Sequence, residues 1–196
     1  MALVLVDAGG TNIGSVRYAL QRLGVDAELS ADAAAIRAAD RVILPGVGAA
    51  GPGMARLRGL GLVEVVRSLT QPVLGVCLGM QLLCAHSEEG DTDCLGVIPA
   101  VVRRFAEVPG LRVPQMGWNR LQAVREHVLL AGLGADDRAY FVHGYAVPVG
   151  GYTLATADYG GPFSAVVARG NFHGMQFHPE RSAGVGARLL KNFLEL

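Results

Sequence analysis

The chain has 196 residues with 17 basic and 17 acidic side chains, a length that suits one domain over residues 1–196 with its own core. The zero net charge gives no electrostatic reason to bind nucleic acid or an anionic membrane, and a composition 51% hydrophobic and 17% charged excludes a disordered chain. Three cysteines, Cys77, Cys84 and Cys94, are odd in number and form no C-x-x-C clip, so reduced thiols in a cytoplasmic protein are expected rather than a disulfide framework.

From the N-terminus, Leu3 to Val6 reads as a short apolar strand, and the loop Ala8-Gly9-Gly10-Thr11-Asn12 leads into a helix with Ile13, Val16, Leu20 and Leu23 on one face, ended by Gly24. Val25 to Leu29 is expected as a second strand, Ala31 to Ala38 as a helix and Arg41 to Leu44 as a third strand. Strands apolar on both faces and separated by helices imply an α/β fold with a mostly parallel sheet covered on both sides. Pro45-Gly46-Val47-Gly48 follows the third strand directly, and Gly51 and Gly53 extend the loop before helices that run to about Leu69. As a phosphate cradle the loop is weakly supported. It lacks the Lys-Ser or Lys-Thr pair of a P-loop, and although Gly46-x-Gly48-x-x-Gly51 fits a dinucleotide fingerprint, Pro52 and Gly53 make a poor opening to a helix and no acidic residue ends a strand about twenty positions on. Its alternatives are a plain glycine-rich turn or a set of backbone N–H groups offered at the sheet edge, half of an oxyanion hole.

Ser68 to Ser87 holds no charged residue, yet Gln71, Pro72, Gln81 and His86 make it a buried strand and helix rather than a membrane span. Inside it Gly75-x-Cys77-x-Gly79 is a nucleophile-elbow pattern with cysteine at its apex: strand, sharp corner, helix start. Glycine at both flanks avoids the collision that side chains would suffer there, and the corner lifts the thiol to the positive end of a helix. A buried structural cysteine is the alternative.

Glu88 to Asp93 reads as a solvated turn. Beyond it the pattern changes to short strands, partly antiparallel: Val97 to Arg103, Leu121 to Val124, Tyr140 to His143, Tyr152 to Ala157, Ser164 to Arg169 and Gly174 to Phe177. A last helix, Ala183 to Leu194, has Val185, Leu189, Leu190 and Phe193 at helical spacing. Between them lies His178-Pro179-Glu180. The proline fixes the backbone between a histidine and a carboxylate, so Glu180 can orient His178 as a base for Cys77, whereas His86, His127, His143 and His173 lack a built-in partner and read as structural.

The elbow with Gln81 four residues on, followed about a hundred residues later by His178-Pro179-Glu180, resembles the triad-type (class I) glutamine amidotransferases. The segments Pro114-Gln115-Met116-Gly117-Trp118-Asn119, Tyr140-Phe141-Val142-His143 and Ala155 to Gly161 are similar to the branch formed by the glutaminase subunits of imidazole glycerol phosphate synthase. The resemblance implies a flavodoxin-like single amidotransferase domain over the whole chain, with Cys77 as nucleophile, His178 as base and Glu180 as its orienter. It implies an oxyanion held by backbone N–H groups of Leu78, Val47 and Gly48, and contacts to L-glutamine from Gly46, Gln81, His143, Gly144 and Tyr145. No metal or organic cofactor is implied. The expected partner is a (β/α)8-barrel synthase subunit in a heterodimer, to which ammonia passes for histidine biosynthesis, with Trp118, Asn119 and Tyr140 at the interface unless they are merely a buried aromatic pair and a turn residue. The usual tyrosine, arginine and serine of relatives are replaced at Ala8, Gly14 and Gly144. Two other readings stay open: the glutaminase of pyridoxal phosphate synthase, whose Gly-Gly-Glu-Ser signature is absent, and a catalytically silent regulatory subunit, against which the intact triad stands.

Overall fold

The computed structural model describes residues 1–7 and 12–196, so the expected loop at Ala8 to Thr11, with the departure at Ala8, lies outside the described residues. In chain order the elements are β1 (Leu3–Val6), α1 (Ile13–Arg22), β2 (Glu28–Ser30), α2 (Ala33–Ala38), β3 (Arg41–Gly46), α3 (Ala50–Gly59), α4 (Val63–Arg67), β4 (Val73–Cys77), α5 (Leu78–Leu82), β5 (Cys84–Ser87), β6 (Thr92–Asp93) and β7 (Ile98–Arg104). Then follow β8 (Gln115–Arg120), β9 (Gln122–Ala123), β10 (Arg138–His143), β11 (Tyr145–Ala146), β12 (Thr153–Asp158), β13 (Pro162–Arg169), β14 (Phe172–Met175) and α6 (Ala183–Leu194). Among the described residues the main sheet has eight strands in the order β2-β1-β3-β4-β14-β13-β12-β9. The β2-β1-β3-β4-β14 part is parallel and the remainder antiparallel, the mixed α/β architecture expected from the sequence.

Alternation along the strands divides the core between two faces. Leu3, Leu5, Ile43, Leu74 and Val76 pack with Val16 and Leu20 of α1 and Leu189, Leu190 and Phe193 of α6. Val4, Val6, Val42, Leu44 and Val73 pack with Ile36, Met54, Leu57, Val65 and Val66 from α2, α3 and α4. β1, β3 and β4 are buried on both sides, which is why these segments read as unbroken apolar runs.

Several boundaries differ from the sequence expectation for identifiable reasons. The second strand is Glu28–Ser30 rather than Val25 to Leu29, because Gly24 at φ +78° and Val25 close α1: Gly24 N–H donates to Gln21 O and Val25 N–H to Leu20 O. Helix α3 starts at Ala50, so Gly51, Pro52 and Gly53 lie inside its first turn and not in a loop; a proline there forfeits an N–H that has no intrahelical partner anyway. Helix α5 is only five residues long and gives way to β5, where the sequence suggests a longer helix. Its dipole is that of little more than one turn. Strand β8 is hidden in the sequence by Gly117 and by polar residues on its covered face.

The elbow itself is steric. Cys77 has φ +53° and ψ −110°, a conformation that costs a non-glycine residue about 1–3 kcal/mol and is held by its surroundings. A Cβ on Gly75 would meet the Gly79 carbonyl carbon at 2.6 Å, and one on Gly79 would fall inside the Leu44 carbonyl oxygen. Gly79→Ala should therefore destabilise the protein by about 1–3 kcal/mol or prevent folding, as overpacking does. Gly51→Ala, whose Cβ would touch only the Thr92 hydroxyl at 3.5 Å, should be neutral or stabilising in the same urea titration.

Candidate functional site

Parallel pairing sets β4 between β3 and β14, with Gly46 opposite Cys77 and Met175 opposite Val76. The chain leaving β3 is the Pro45 to Gly48 loop, and the chain leaving β14 reaches His178 and Glu180. All three therefore converge on the sulfur at the C-terminal edge of the sheet, where crevices of open α/β sheets form. There a cavity of about 160 Å³ is lined by Val47, Gly48, Cys77, Leu78, Gln81, Glu89, Val142, His143, Gly144, Tyr145 and His178. A larger depression of about 430 Å³ around Arg125, Glu126 and His127 contains no nucleophile.

His178 is buried and held at both ends of its backbone unit: its N–H donates to Tyr140 O at 2.9 Å, and its carbonyl accepts the Ser182 hydroxyl at 2.7 Å. Its Nδ1 lies 2.8 Å from Glu180 Oε1, which leaves Nε2 for Cys77. Burial works to lower the His178 pKa, but hydrogen bonds to Cys77 and Glu180 and the negative charges beside it outweigh burial and raise it to about 10. Burial likewise works to raise that of Glu180, yet bonds from His178 and Asn12 and the imidazolium charge hold it below its ordinary value.

In the sequence Asn12 is legible only as the entry to α1. Instead of capping that helix, its side chain donates to Glu180 Oε1 at 2.6 Å and lies 3.2 Å from His178 Nδ1. Glu89, in a turn expected to be solvated and largely so, is itself half-buried. Its Oε2 accepts the Ala50 N–H at 2.9 Å, so it tethers the start of α3 and, among the described residues, is the one carboxylate lining the cavity.

Two carboxamides lie behind the sulfur. Gln81 Nε2 donates to Tyr145 O at 2.9 Å and to Gln176 Oε1 at 3.0 Å, which leaves Gln81 Oε1 without a hydrogen-bond partner among the described residues, an acceptor for the cavity. Gln176, fully buried, turns its Nε2 toward Cys77 Sγ at 3.9 Å. Tyr145 O also lies 2.7 Å from His143 Nδ1, so His143 carries its proton there and spends its side chain on that anchor. Burial lowers the His143 pKa to about 4, and the ring sits among Phe105, Phe141 and Phe163.

The loop expected to hold an oxyanion is open to that use. Gly48 has φ +93°, and neither Val47 nor Gly48 N–H donates to another backbone carbonyl among the described residues. Gly46 sits lower, at the end of β3, where a Cβ would meet Gly79 N at 2.9 Å. At Gly144 a Cβ would meet only Val113 and Pro114 at 3.6 Å and beyond, and at Gly14 nothing within 4 Å, so neither departure relieves a clash. The other thiols are poor nucleophiles: burial pushes Cys84 up to about 12 and Cys94 to about 11.

Beside the cavity, β8 and β10 pair antiparallel with Trp118 opposite Tyr140 and Met116 opposite Val142. Met116 is 67% and Trp118 51% exposed, and the Trp118 and Tyr140 rings meet edge to face at 5.9 Å with Arg181 stacked 4.5 Å over Tyr140. Asn119 does not share that face. Its amide donates to Asp158 O and its oxygen accepts the Arg120 N–H, both at 2.8 Å, because neighbouring residues of a strand point to opposite sides. No helix among the described residues is long and apolar enough to cross a membrane.

The family model for glutamine amidotransferase class-I matches residues 4–196. The imidazole glycerol phosphate synthase subunit HisH of Xanthomonas euvesicatoria pv. vesicatoria is 60% identical over 99% of this chain and 97% of its own. The same-named subunit of Xylella fastidiosa (strain Temecula1) is 56% identical over the same shares. Among solved structures a glutamine amidotransferase superposes with a TM-score of 0.77 at 23% identity, covering 100% of this chain and 98% of that one. The PurLQS structure from Thermotoga maritima gives 0.74 at 18%, covering 99% and 97%.

In Glu180→Gln one of the groups that raise the His178 pKa is weakened, so the imidazolium should lose its proton at lower pH than in the unmodified chain. A raised folded-state pKa stabilises fully below the free value of about 6.5 and loses that contribution as pH rises toward 10, so the loss should begin earlier in the variant. Nitrogen NMR of the His178 ring against pH checks the direction.

Proposed function

The chain belongs to the class-I glutamine amidotransferases, and we propose that Cys77, His178 and Glu180 are its catalytic triad within one amidotransferase domain. Its activity is that of the glutaminase subunit of imidazole glycerol phosphate synthase: L-glutamine is hydrolysed to glutamate and ammonia. The observation that carries the site assignment is the convergence of a strained, elbow-borne thiol with a histidine already paired to a buried carboxylate.

In this mechanism Cys77 Sγ attacks the side-chain carbonyl carbon of glutamine, and the proton held on His178 goes to the departing nitrogen as the C–N bond breaks. The oxyanion is met by N–H groups of Leu78 and of the Val47-Gly48 loop, each such donor being worth about a hundredfold or more in rate. Water then attacks the thioester, His178 takes its proton, and the C–S bond breaks to release glutamate. Gln81 Oε1, Glu89 and the backbone around Gly144 and Tyr145 surround the rest of the substrate, with the Glu89 carboxylate opposite its α-ammonium group. A cavity of about 160 Å³ suits a small amino acid.

Ammonia freed into neutral water becomes ammonium, which is no nucleophile, so the product is useful only if handed over directly. We propose a heterodimer with the (β/α)8-barrel synthase subunit, in the cytoplasm, docked on the Met116, Trp118, Tyr140 face. That face is exposed, aromatic and adjoins Val142 at the cavity wall, as an interface core requires. Asn119, turned to Asp158, is left out of it.

In the reconstituted pair Cys77→Ala should abolish synthesis from glutamine and leave synthesis from an ammonium salt; loss of both would refute a purely ammonia-supplying role. Glutamine turnover by the isolated chain should be low and rise when the loaded barrel subunit is added, and full activity in isolation would refute coupling. Trp118→Ala should weaken binding to the barrel subunit, measured by calorimetry, by about 2 kcal/mol or more while moving the melting temperature little.

A further inference from the structure

Gln176 is a fully buried carboxamide with no role in the triad, no place in the cavity wall and no exposure to a partner. Burying such a group is unfavourable unless its donors and acceptor are matched, so its neighbours define its use. Its oxygen accepts from Gln81 Nε2 at 3.0 Å, and its nitrogen has Cys77 Sγ at 3.9 Å, the long end of the range for sulfur. Carboxamide ends are easily interchanged, but here chemistry removes the ambiguity. Tyr145 O can only accept, so the end of Gln81 facing it, 2.9 Å away, is the NH2 group. The second N–H of that same nitrogen then needs an acceptor, which is Gln176 Oε1. Gln176 therefore turns its own NH2 group to the sulfur. Gln81 Nε2 thus donates in two directions, back to the Tyr145 carbonyl and forward to Gln176, and Gln176 donates in turn to the sulfur.

We propose that Gln176 is a positioning residue for Cys77: it delivers an amide N–H to the sulfur from inside the protein, in a direction imposed by Tyr145 O through Gln81. The inference rests on the triad reading. The proton stays on Gln176 throughout. During attack the N–H orients the sulfur lone pairs, leaving one for the substrate carbon, and when the thioester is cleaved it receives the sulfur as the C–S bond breaks. Gln81 has a second task in consequence. With both hydrogens of Nε2 engaged, it shows the substrate an acceptor only, so its partner on glutamine is an N–H group.

Gln176→Met keeps length and approximate volume while removing the N–H. In complex with the barrel subunit, three quantities are measured: alkylation of Cys77 by iodoacetamide, followed by mass spectrometry, glutamine turnover, and synthesis from ammonium salt. The alkylation rate and kcat should fall together, about tenfold, with KM for glutamine within twofold and ammonium-dependent synthesis retained. Gln81→Met, which frees the Gln176 carboxamide to rotate, should slow alkylation in the same direction by a smaller factor and serves if the first variant fails to fold. Alkylation within twofold of the unmodified chain in a folded variant overturns the proposal, as does a loss confined to KM. Alkylation needs no glutamine chemistry, so an unmodified complex that alkylates normally but does not turn over glutamine would refute the triad reading while leaving the comparison intact.

Discussion

The whole site hangs on how closely helix α5 is pressed against β3. The Gly79 Cα lies so near the Leu44 carbonyl that no side chain fits between them, and this contact fixes where α5 starts. The corner at Cys77 is the chain's response: to leave β4 and enter a helix packed that tightly, one residue must take a positive φ, and it is the residue that bears the thiol. The strain is supported by strands buried on both faces and the helices packed on them, so a local distortion of about 1–3 kcal/mol is carried by a core much larger than itself.

Around that corner the polar groups are arranged so that few are left to solvent. Glu180 gives one oxygen to both His178 and Asn12, Ser182 ties the His178 carbonyl to the β10 backbone, and Tyr145 O holds His143 and Gln81 together. Low dielectric strengthens each of these contacts and penalises any that is lost. The exceptions are Glu180 Oε2 and His143 Nε2, buried without a hydrogen-bond partner among the described residues, on residues that flank His178 and the cavity.

What the sequence discloses follows from range. The parallel sheet is legible because β1, β3 and β4 are apolar on both faces, and the proposed triad because an elbow and a His-Pro-Glu each carry a local pattern with a mechanical reason. The shifted β2 and the early start of α3 turn on cap and first-turn geometry, which Val25 and Pro52 do not announce. Asn12, Glu89 and Gln176 escape notice for a different reason. Their partners lie 168, 39 and 99 residues away, and locally they read as a helix entry, a charged turn and a polar neighbour of His178. Asn119 shows the reverse: its motif suggests an interface, while strand alternation turns it inward to Asp158.

The adjacency of β4 and β14 joins segments almost a hundred residues apart in the chain, and it sets when the site can exist. Loop-closure entropy makes such a pairing a late event, formed only after the intervening strands have found their order. During synthesis the Cys77 thiol leaves the ribosome about a hundred residues before His178 does. A fragment that ends between Cys77 and His178 therefore carries the elbow thiol without the imidazole that pairs with Glu180.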